Sequence, residues 1–378
     1  MPDPAPLKIL HVFRAPLGGL FRHVVDLVSG QIARGHKVGI IADSTTGGTR
    51  GDTTLKGLAP DLALGLTRIP MRRQLGPSDI GAIRHVSRRI AETNPDVVHG
   101  HGAKGAAYAR LAASRHPAIR AYTPHGGSLL YRPGTLGSRF YVMLEWIMRG
   151  RTDLFLFESA YGLDLYKRKV GEPGGIVRVV HNGIGKDDLS TIAPAADAAD
   201  IVFIGELRSV KGVDVLLEAI GALKAEGLTL DAAIVGDGPD RLTLQAQANR
   251  LGLNQQVRFH GPMPAQQAFA LGRVMVVPSR AESLPYIVLE AIGAGLPLIT
   301  TAVGGIPEIF GPRSDRLIPS EDVEALKGAI KCAVNDPEST KRAGEEVRER
   351  VRTLFSVDGM VDQVLAGYRD ALAAKRSA

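Results

Sequence analysis

The chain of 378 residues has a single cysteine, Cys332, which excludes an internal disulfide and any cysteine-based metal cluster. A reducing compartment, the cytoplasm by default, is the setting this implies. Aromatic residues make up only 5% of the chain, too few for an all-β sandwich with an aromatic core. No stretch approaches the roughly 18 consecutive apolar residues that a membrane-spanning helix requires. The segment Met1 to Pro6 is rich in proline and leads straight into a short apolar run, so no signal peptide is predicted. No GxGxxG turn followed by a suitably placed acidic residue is found, which argues against a nicotinamide dinucleotide site. Nor does a nucleic-acid motif accompany the basic charge.

Glycine, by contrast, is abundant at 44 residues, as an α/β protein with many strand-to-helix turns requires. The length exceeds one ordinary core and suits two domains. Apolar β-branched runs at Leu7 to Phe13, Lys37 to Ala42, Val97 to His99, Ile119 to Thr123, Leu154 to Phe157 and Val177 to His181 alternate with helical periodicity. That pattern predicts a parallel sheet covered on both faces, with sites at the carboxyl ends of its strands. A second series begins at Ile201 and includes Ala232 to Val235, Val257 to Gly261 and Val274 to Val277. Between the two series lies STIAPAADAAD, Ser190 to Asp200, read as a linker. The expected domains are therefore 1–190 and 191–356, with a terminal helix, 357–378, crossing back to the first. Charge divides the same way: through Ser190 there are 26 Lys and Arg against 15 Asp and Glu, and beyond it 20 against 24.

The stretch Val276 to Glu308 carries the most chemistry. A buried strand stops at Pro278, and a helical pattern resumes near Ser283 and Pro285, with Ser283 as the expected cap and Pro285 in the first turn. Glu282 borders the helix start and Glu290 follows two turns later, so both carboxylates can address one opening. Backbone donors near Leu284 and Tyr286 beside two acceptor-only groups suit a ligand rich in hydroxyls. The neighbours of Glu290 are nearly all apolar, and burial there would be costly for a carboxylate without a partner.

The run Glu282-Ser-Leu-Pro-Tyr-Ile-Val-Leu-Glu290, with Gly304-Gly-Ile-Pro-Glu308 after it, resembles the Glu-x7-Glu motif of the retaining family-4-type glycosyltransferases. The resemblance implies an α/β chain of the GT-B architecture, two Rossmann-like domains facing each other across a deep cleft. It implies that Glu282 holds donor-sugar hydroxyls, that Glu290 holds the ribose, and that Ser283, Leu284, Pro285 and Tyr286 line the sugar.

Other motifs take roles within that resemblance. Ile201-Val-Phe-Ile-Gly205 runs into Arg208 and Lys211, two cations before a helix that suit a diphosphate. The family usually has arginine directly after the glycine; here Glu206 stands there. Gly236 begins a Gly-x-Gly-Pro turn, and Gly261 and Pro262 follow a strand where the family contacts the base. Gly18 and Gly19, read as a loop before a helix at Phe21, are placed near phosphates and acceptor. Thr123-Pro-His-Gly-Gly127 assigns His125 to the transferred sugar. Pro133, Gly134 and Gly137 mark an acceptor loop. Asp96-Val-Val-His-Gly-His101 puts His99 and His101 on one face, but the sequence offers no evident third ligand for a metal.

The implied activity is sugar transfer from a nucleoside diphosphate sugar, UDP-sugar favoured and GDP-sugar possible, to an acceptor hydroxyl with retention and without a metal or other cofactor. The acceptor expected is a glycan or lipid-linked glycan of exopolysaccharide or envelope assembly. The basic first domain and the run Tyr141 to Met148, flanked by Arg139, Arg149 and Arg151, allow an anionic membrane surface, hence a peripheral place on the inner face. A core helix with solvated arginines is the alternative. Two rival functions are a nucleotide-sugar epimerase, which needs no acceptor, and a non-catalytic nucleotide-sugar binder.

Overall fold

The computed structural model describes residues 5–74, 76–127 and 136–377. The acceptor loop expected at Pro133 and Gly134 lies outside the described residues. The chain divides into two units, 1–182 with 357–378, and 183–356.

The first unit is built on a parallel sheet of β1 (Lys8–Phe13), β2 (Lys37–Asp43), β3 (Leu66–Ile69), β4 (Val97–His101), β5 (Ile119–Thr123), β6 (Leu154–Phe157) and β7 (Ile176–Val179). Its spatial order is β3-β2-β1-β4-β5-β6-β7. The second unit has β8 (Ala199–Ile204), β9 (Ala232–Val235), β10 (Val257–His260), β11 (Gly272–Val277) and β12 (Leu298–Thr300), in the order β10-β9-β8-β11-β12. Both sheets are doubly wound, reversing direction between β1 and β4 and between β8 and β11. Such a reversal opens a crevice outside the strands' carboxyl ends, where α/β proteins bind ligands. Two strands escape the sequence reading, β3 and β12, each at a sheet edge. β3 is only half-buried, so its apolar signal is weak, and β12 is three residues long.

The unit boundary falls between Asn182 and Gly183, not at Ser190, because the supposed linker is fastened to the second unit. Ile184 N–H donates to the Phe355 carbonyl (2.8 Å), Ile192 N–H to Ala294 (3.1 Å) and Ala195 N–H to Ala270 (2.8 Å). Arg348 adds bonds to the Leu189 carbonyl and Thr191 Oγ1, both 2.8 Å. An Ala- and Asp-rich composition therefore marks an ordered strap, not a free connector.

The helix Val357–Ser377 belongs to the first unit. It buries Met360, Val361, Val364, Leu365 and Tyr368 against Ile9, Leu27, Val97, Ile119 and Leu154. Full burial of each such aliphatic side chain contributes about 1.5–3 kcal/mol. Its Tyr368 hydroxyl meets His99 Nδ1 at 2.6 Å inside the core. Removing that hydroxyl leaves a buried ring nitrogen unsatisfied, so Tyr368→Phe should cost about 1–3 kcal/mol. Chemical denaturation of the full chain checks this; stability equal to that of the unaltered protein would show that the contact contributes nothing.

Candidate active site

In the second unit, the loops leaving β8 and β11 flank the point where strand order reverses. Lys211 closes a short turn, Ser209–Lys211, after β8, and its Nζ donates to Glu282 Oε1 at 2.7 Å. Ser279 Oγ donates to the same oxygen, also at 2.7 Å. Glu282 is buried while Lys211 remains a quarter exposed, so the pair presents charge toward solvent without being dissolved in it.

Two glycines make this geometry possible. Gly212, at φ +68, lies so close to Pro278 that a Cβ would sit 2.0 Å from the Pro278 carbonyl oxygen. Gly304, at φ +62, abuts the backbone of Glu282 in the same way, also at 2.0 Å. A side chain at either position would push the two loops apart. Arg280 then ties the loops: its N–H donates to the Val210 carbonyl (2.8 Å), and its guanidinium grips Asp214 through both nitrogens (2.8 and 2.7 Å). Burial raises the Asp214 carboxyl, but the Arg280 fork outweighs it and the net direction is downward.

The structure brings Lys211 and Glu282 together and leaves Arg208 apart from them. Arg208 instead lies 3.6 Å from Glu206, both largely exposed. Gly205 follows β8, and the Gly236 backbone sits against its carbonyl. Gly261 and Pro262 are exposed at the end of β10, the outermost strand on that side. The helix carrying Glu290 is Tyr286–Gly293, two residues shorter at its start than expected. Ser283 does not cap it: Pro285 is the N-cap, with extended backbone, and the Ser283 carbonyl accepts from Gly305 N–H (2.6 Å). Leu284, Pro285 and Tyr286 are buried, and Glu290 is half-buried.

The first unit holds a second concentration of chemistry, most of it invisible in the sequence. His11 on β1 is in register with His99 on β4. His99 and His101, two apart on one strand, present the same face. His125 follows β5 and Glu158 follows β6, completing a set at adjacent strand ends. A chain of contacts runs Glu158 Oε1 to His125 Nδ1 (2.8 Å), His125 Nε2 to His101 Nδ1 (3.1 Å), His101 Nε2 to His11 Nδ1 (2.9 Å) and His11 Nε2 to Gln31 Oε1 (2.8 Å). His23 stands edge-on to His125 and meets Asn182 Oδ1 at 3.0 Å. His125 has φ +53, a conformation costly for a residue with a Cβ and therefore informative. Both its ring nitrogens contact protein groups. Gly18 and Gly19, expected in a loop, are the first residues of the helix Gly18–Ala33 that carries His23. Gly18 at φ +67 supplies the turn into that helix.

The sequence signalled His125, through its strand-end motif, and the His99/His101 pair; His11, His23, Glu158 and Asn182 were not singled out.

Burial pushes His11 down to about 4, with the Gln31 bond opposing, and pushes His23, His99 and His101 well below 6.5. These rings are neutral in the folded protein, whereas unfolding exposes them to protonation. The unfolded state therefore binds more protons below pH 6.5, and stability declines as pH falls from there toward about 4. Each ring contributes a slope of about 1.4 kcal/mol per pH unit across its window. Melting temperature measured from pH 7 to pH 5 should drop steeply, and a His99→Gln substitution should flatten the drop. A flat profile in the unaltered protein would mean the rings are solvated.

The two doubly wound units define the GT-B class of fold. Two family models match: Glycosyltransferase Family 4 over residues 17–187 and Glycosyl transferases group 1 over residues 188–350. The chain is 24% identical to a glycogen synthase of Mycobacterium tuberculosis over 95% of its own length and 92% of that protein. It is 27% identical to the putative glycosyltransferase EpsD of Bacillus subtilis, covering 80% and 84%. In fold it resembles the sucrose-phosphate synthase of Thermosynechococcus elongatus (TM-score 0.81, 21% identity, 98% of this chain and 100% of that one). It also resembles Anabaena HepE solved with UDP-glucose (TM-score 0.78, 17% identity, 97% and 100%). The chain belongs to the family-4 glycosyltransferases and is a glycosyltransferase enzyme.

Proposed function

We propose that the protein transfers a sugar from a nucleoside diphosphate donor, a UDP-sugar first among candidates, to an acceptor hydroxyl with retention at the anomeric carbon. The observation that carries this is the Lys211–Glu282 contact at the switch point of the second sheet. An ammonium with three donors suits a departing diphosphate, and a buried carboxylate suits sugar hydroxyls. Solved complexes of HepE with UDP and UDP-glucose, on the same fold, support the choice of donor.

In this reading, Lys211 neutralises charge as the glycosidic bond to phosphate breaks, and no metal is needed for that step. Arg208 joins by exchanging Glu206 for phosphate. Glu282 orients the sugar, Glu290 the ribose, Gly205 and Gly236 allow the phosphates close to backbone, and Gly261 and Pro262 border the base. Gly18 and Gly19 lie at a helix start suited to an anionic group. His125 serves the sugar by exchanging its contact with His101 for one with a hydroxyl. A single partner carboxylate placed as a covalent nucleophile is not evident among the described residues, which favours front-face substitution over the double displacement of retaining glycosidases. Glu282→Ala and Lys211→Ala should each lower turnover at least tenfold in a protein that melting curves show to be still folded. Donor consumption and product are followed with and without acceptor; full activity in either variant sinks the assignment, and a changed free nucleotide sugar without acceptor indicates epimerisation instead.

We further propose a lipid-linked or polysaccharide acceptor met at an anionic membrane surface. No helix of the described residues is long and apolar enough to cross a membrane. The helix Leu136–Met148 turns Glu145 and Met148 inward, while Phe140, Met143, Trp146 and Ile147 are 44–54% exposed. The guanidinium of Arg149 lies 5.3 Å from the Trp146 ring centre, so cation and apolar surface are contiguous. Sedimentation with vesicles containing anionic lipid should retain the protein at low salt, and Trp146→Glu with Ile147→Glu should release it. Equal sedimentation with neutral vesicles would refute a charge-assisted surface.

A further inference from the structure

We propose that His23, His101 and His125 form a binding site for a divalent transition-metal ion of the zinc class. Each offers a ring nitrogen, and the three nitrogens lie within 4.8 Å of one another. His101 Nδ1 and His125 Nε2, at 3.1 Å, are already near the ~3.3 Å that separates two ligands of a tetrahedral ion with bonds of ~2.0–2.1 Å. Imidazole is a suitable ligand for zinc, copper and nickel, and three of them leave a position open for water or another ligand.

The surrounding groups favour a built site over a chance gathering. Metal-binding histidines usually have their second nitrogen held by a carboxylate, amide or carbonyl, which fixes the ring and its tautomer. Here two members have such a partner and the third is held by another imidazole. Glu158 holds His125 Nδ1 (2.8 Å), Asn182 holds His23 Nδ1 (3.0 Å), and His11, itself held by Gln31, holds His101 Nε2 (2.9 Å). The three ligands come from a helix, a strand end and the turn after the next strand, so the scaffold and not a flexible loop sets their spacing. The strained backbone of His125 aims that ring at the other two.

A neighbouring set, His11, His99 and His101, also has clustered nitrogens but reads differently. Both nitrogens of His99 are engaged, by the Tyr368 hydroxyl at 2.6 Å and by Thr123 Oγ1 at 2.8 Å, so that ring has none to offer a metal. It is a structural set, and the site is confined to His23, His101 and His125. On binding, His101 keeps its proton on Nε2, toward His11, and His125 keeps its own on Nδ1, toward Glu158, so that His101 Nδ1 and His125 Nε2 turn lone pairs to the ion and the rings stay neutral. The inference stands independently of the proposed sugar transfer.

The test uses tag-free full-length protein, stripped with a chelator and titrated with Co2+ under visible absorption, then challenged with Zn2+. One equivalent should bind with the absorption of a low-symmetry, nitrogen-ligated ion, and Zn2+ should displace it. His23→Asn and His101→Asn should each weaken binding at least tenfold, and Glu158→Gln, which keeps the shape of the side chain, about 10- to 100-fold. His85→Asn, at an exposed histidine remote in sequence from the set, should bind as the unaltered chain does. Melting curves separate lost binding from lost fold; if the histidine variants unfold, Glu158→Gln decides. Absence of stoichiometric binding, or unchanged affinity in Glu158→Gln in a folded protein, overturns the site.

Discussion

The contact between Lys211 and Glu282 is the constraint around which the second unit is arranged. An ion pair this near the interior is worth little unless its geometry is fixed and its spare lone pairs are met. The fold meets both conditions with backbone. Gly212 and Gly304 bring the loops after β8 and β11 within van der Waals reach of Pro278 and Glu282, Arg280 fastens one loop to the other, and Ser279 supplies the second donor to Glu282. The stretch from Gly205 to Gly212 and the stretch from Pro278 to Glu282 are therefore one device, although about seventy positions separate Lys211 from Glu282.

The first unit handles its buried polar groups differently. Away from the strand ends it contains a full ion pair, Arg110 with Glu145 at 3.0 Å, inside the fold. Tyr122 adds a hydroxyl donor to Glu145 (3.0 Å) and a ring face to Arg110 (4.3 Å). This arrangement anchors the inner side of the helix Leu136–Met148 and so turns its apolar residues outward. At the strand ends the same unit uses mainly imidazoles, of which His11, His23, His99 and His101 are kept neutral by burial, beside one buried carboxylate, Glu158, paired with His125. Fixed charge lies under the helix, and titratable groups lie at the site.

How much of this could be read from the sequence follows from how local each signal is. Among the described residues the strands other than β3 and β12 are visible as apolar runs; β3 is only half-buried and β12 is three residues long, too little pattern to read, whereas the edge strands β7 and β10 were legible. Glu282 and Lys211 were legible because each sits beside its own glycine turn and within a run resembling the family. Arg208 was placed with them on spacing, yet its side chain turns to Glu206, since only a three-dimensional path decides which of two nearby carboxylates a flexible cation reaches. Ser283 has the composition of a cap, but Pro285 delays the helix, an outcome of competing local rules. The histidine cluster was legible only in part: His99, His101 and His125 stand out at strand ends, whereas His11, His23 and Glu158 are brought to them by the fold and not by spacing.

One ring nitrogen joins the two readings of the first unit. His125 has Nδ1 on Glu158, which leaves Nε2 to meet His101, a metal or a sugar hydroxyl, and a single lone pair or proton can serve one of these at a time. A metal held by His23 and His101 has two further anchors and an ordered outer shell, whereas a sugar hydroxyl has only the hydrogen bond and whatever the donor's other contacts supply. Under the proposed transfer, occupation by metal withdraws His125 from the sugar and opposes transfer. In the proposed transfer the leaving diphosphate is assigned to Lys211 and not to these rings. The proposed transfer and a metal-binding histidine set are thus compatible in one chain, provided the ion acts as a brake on the residue proposed to serve the sugar and not as part of the chemistry.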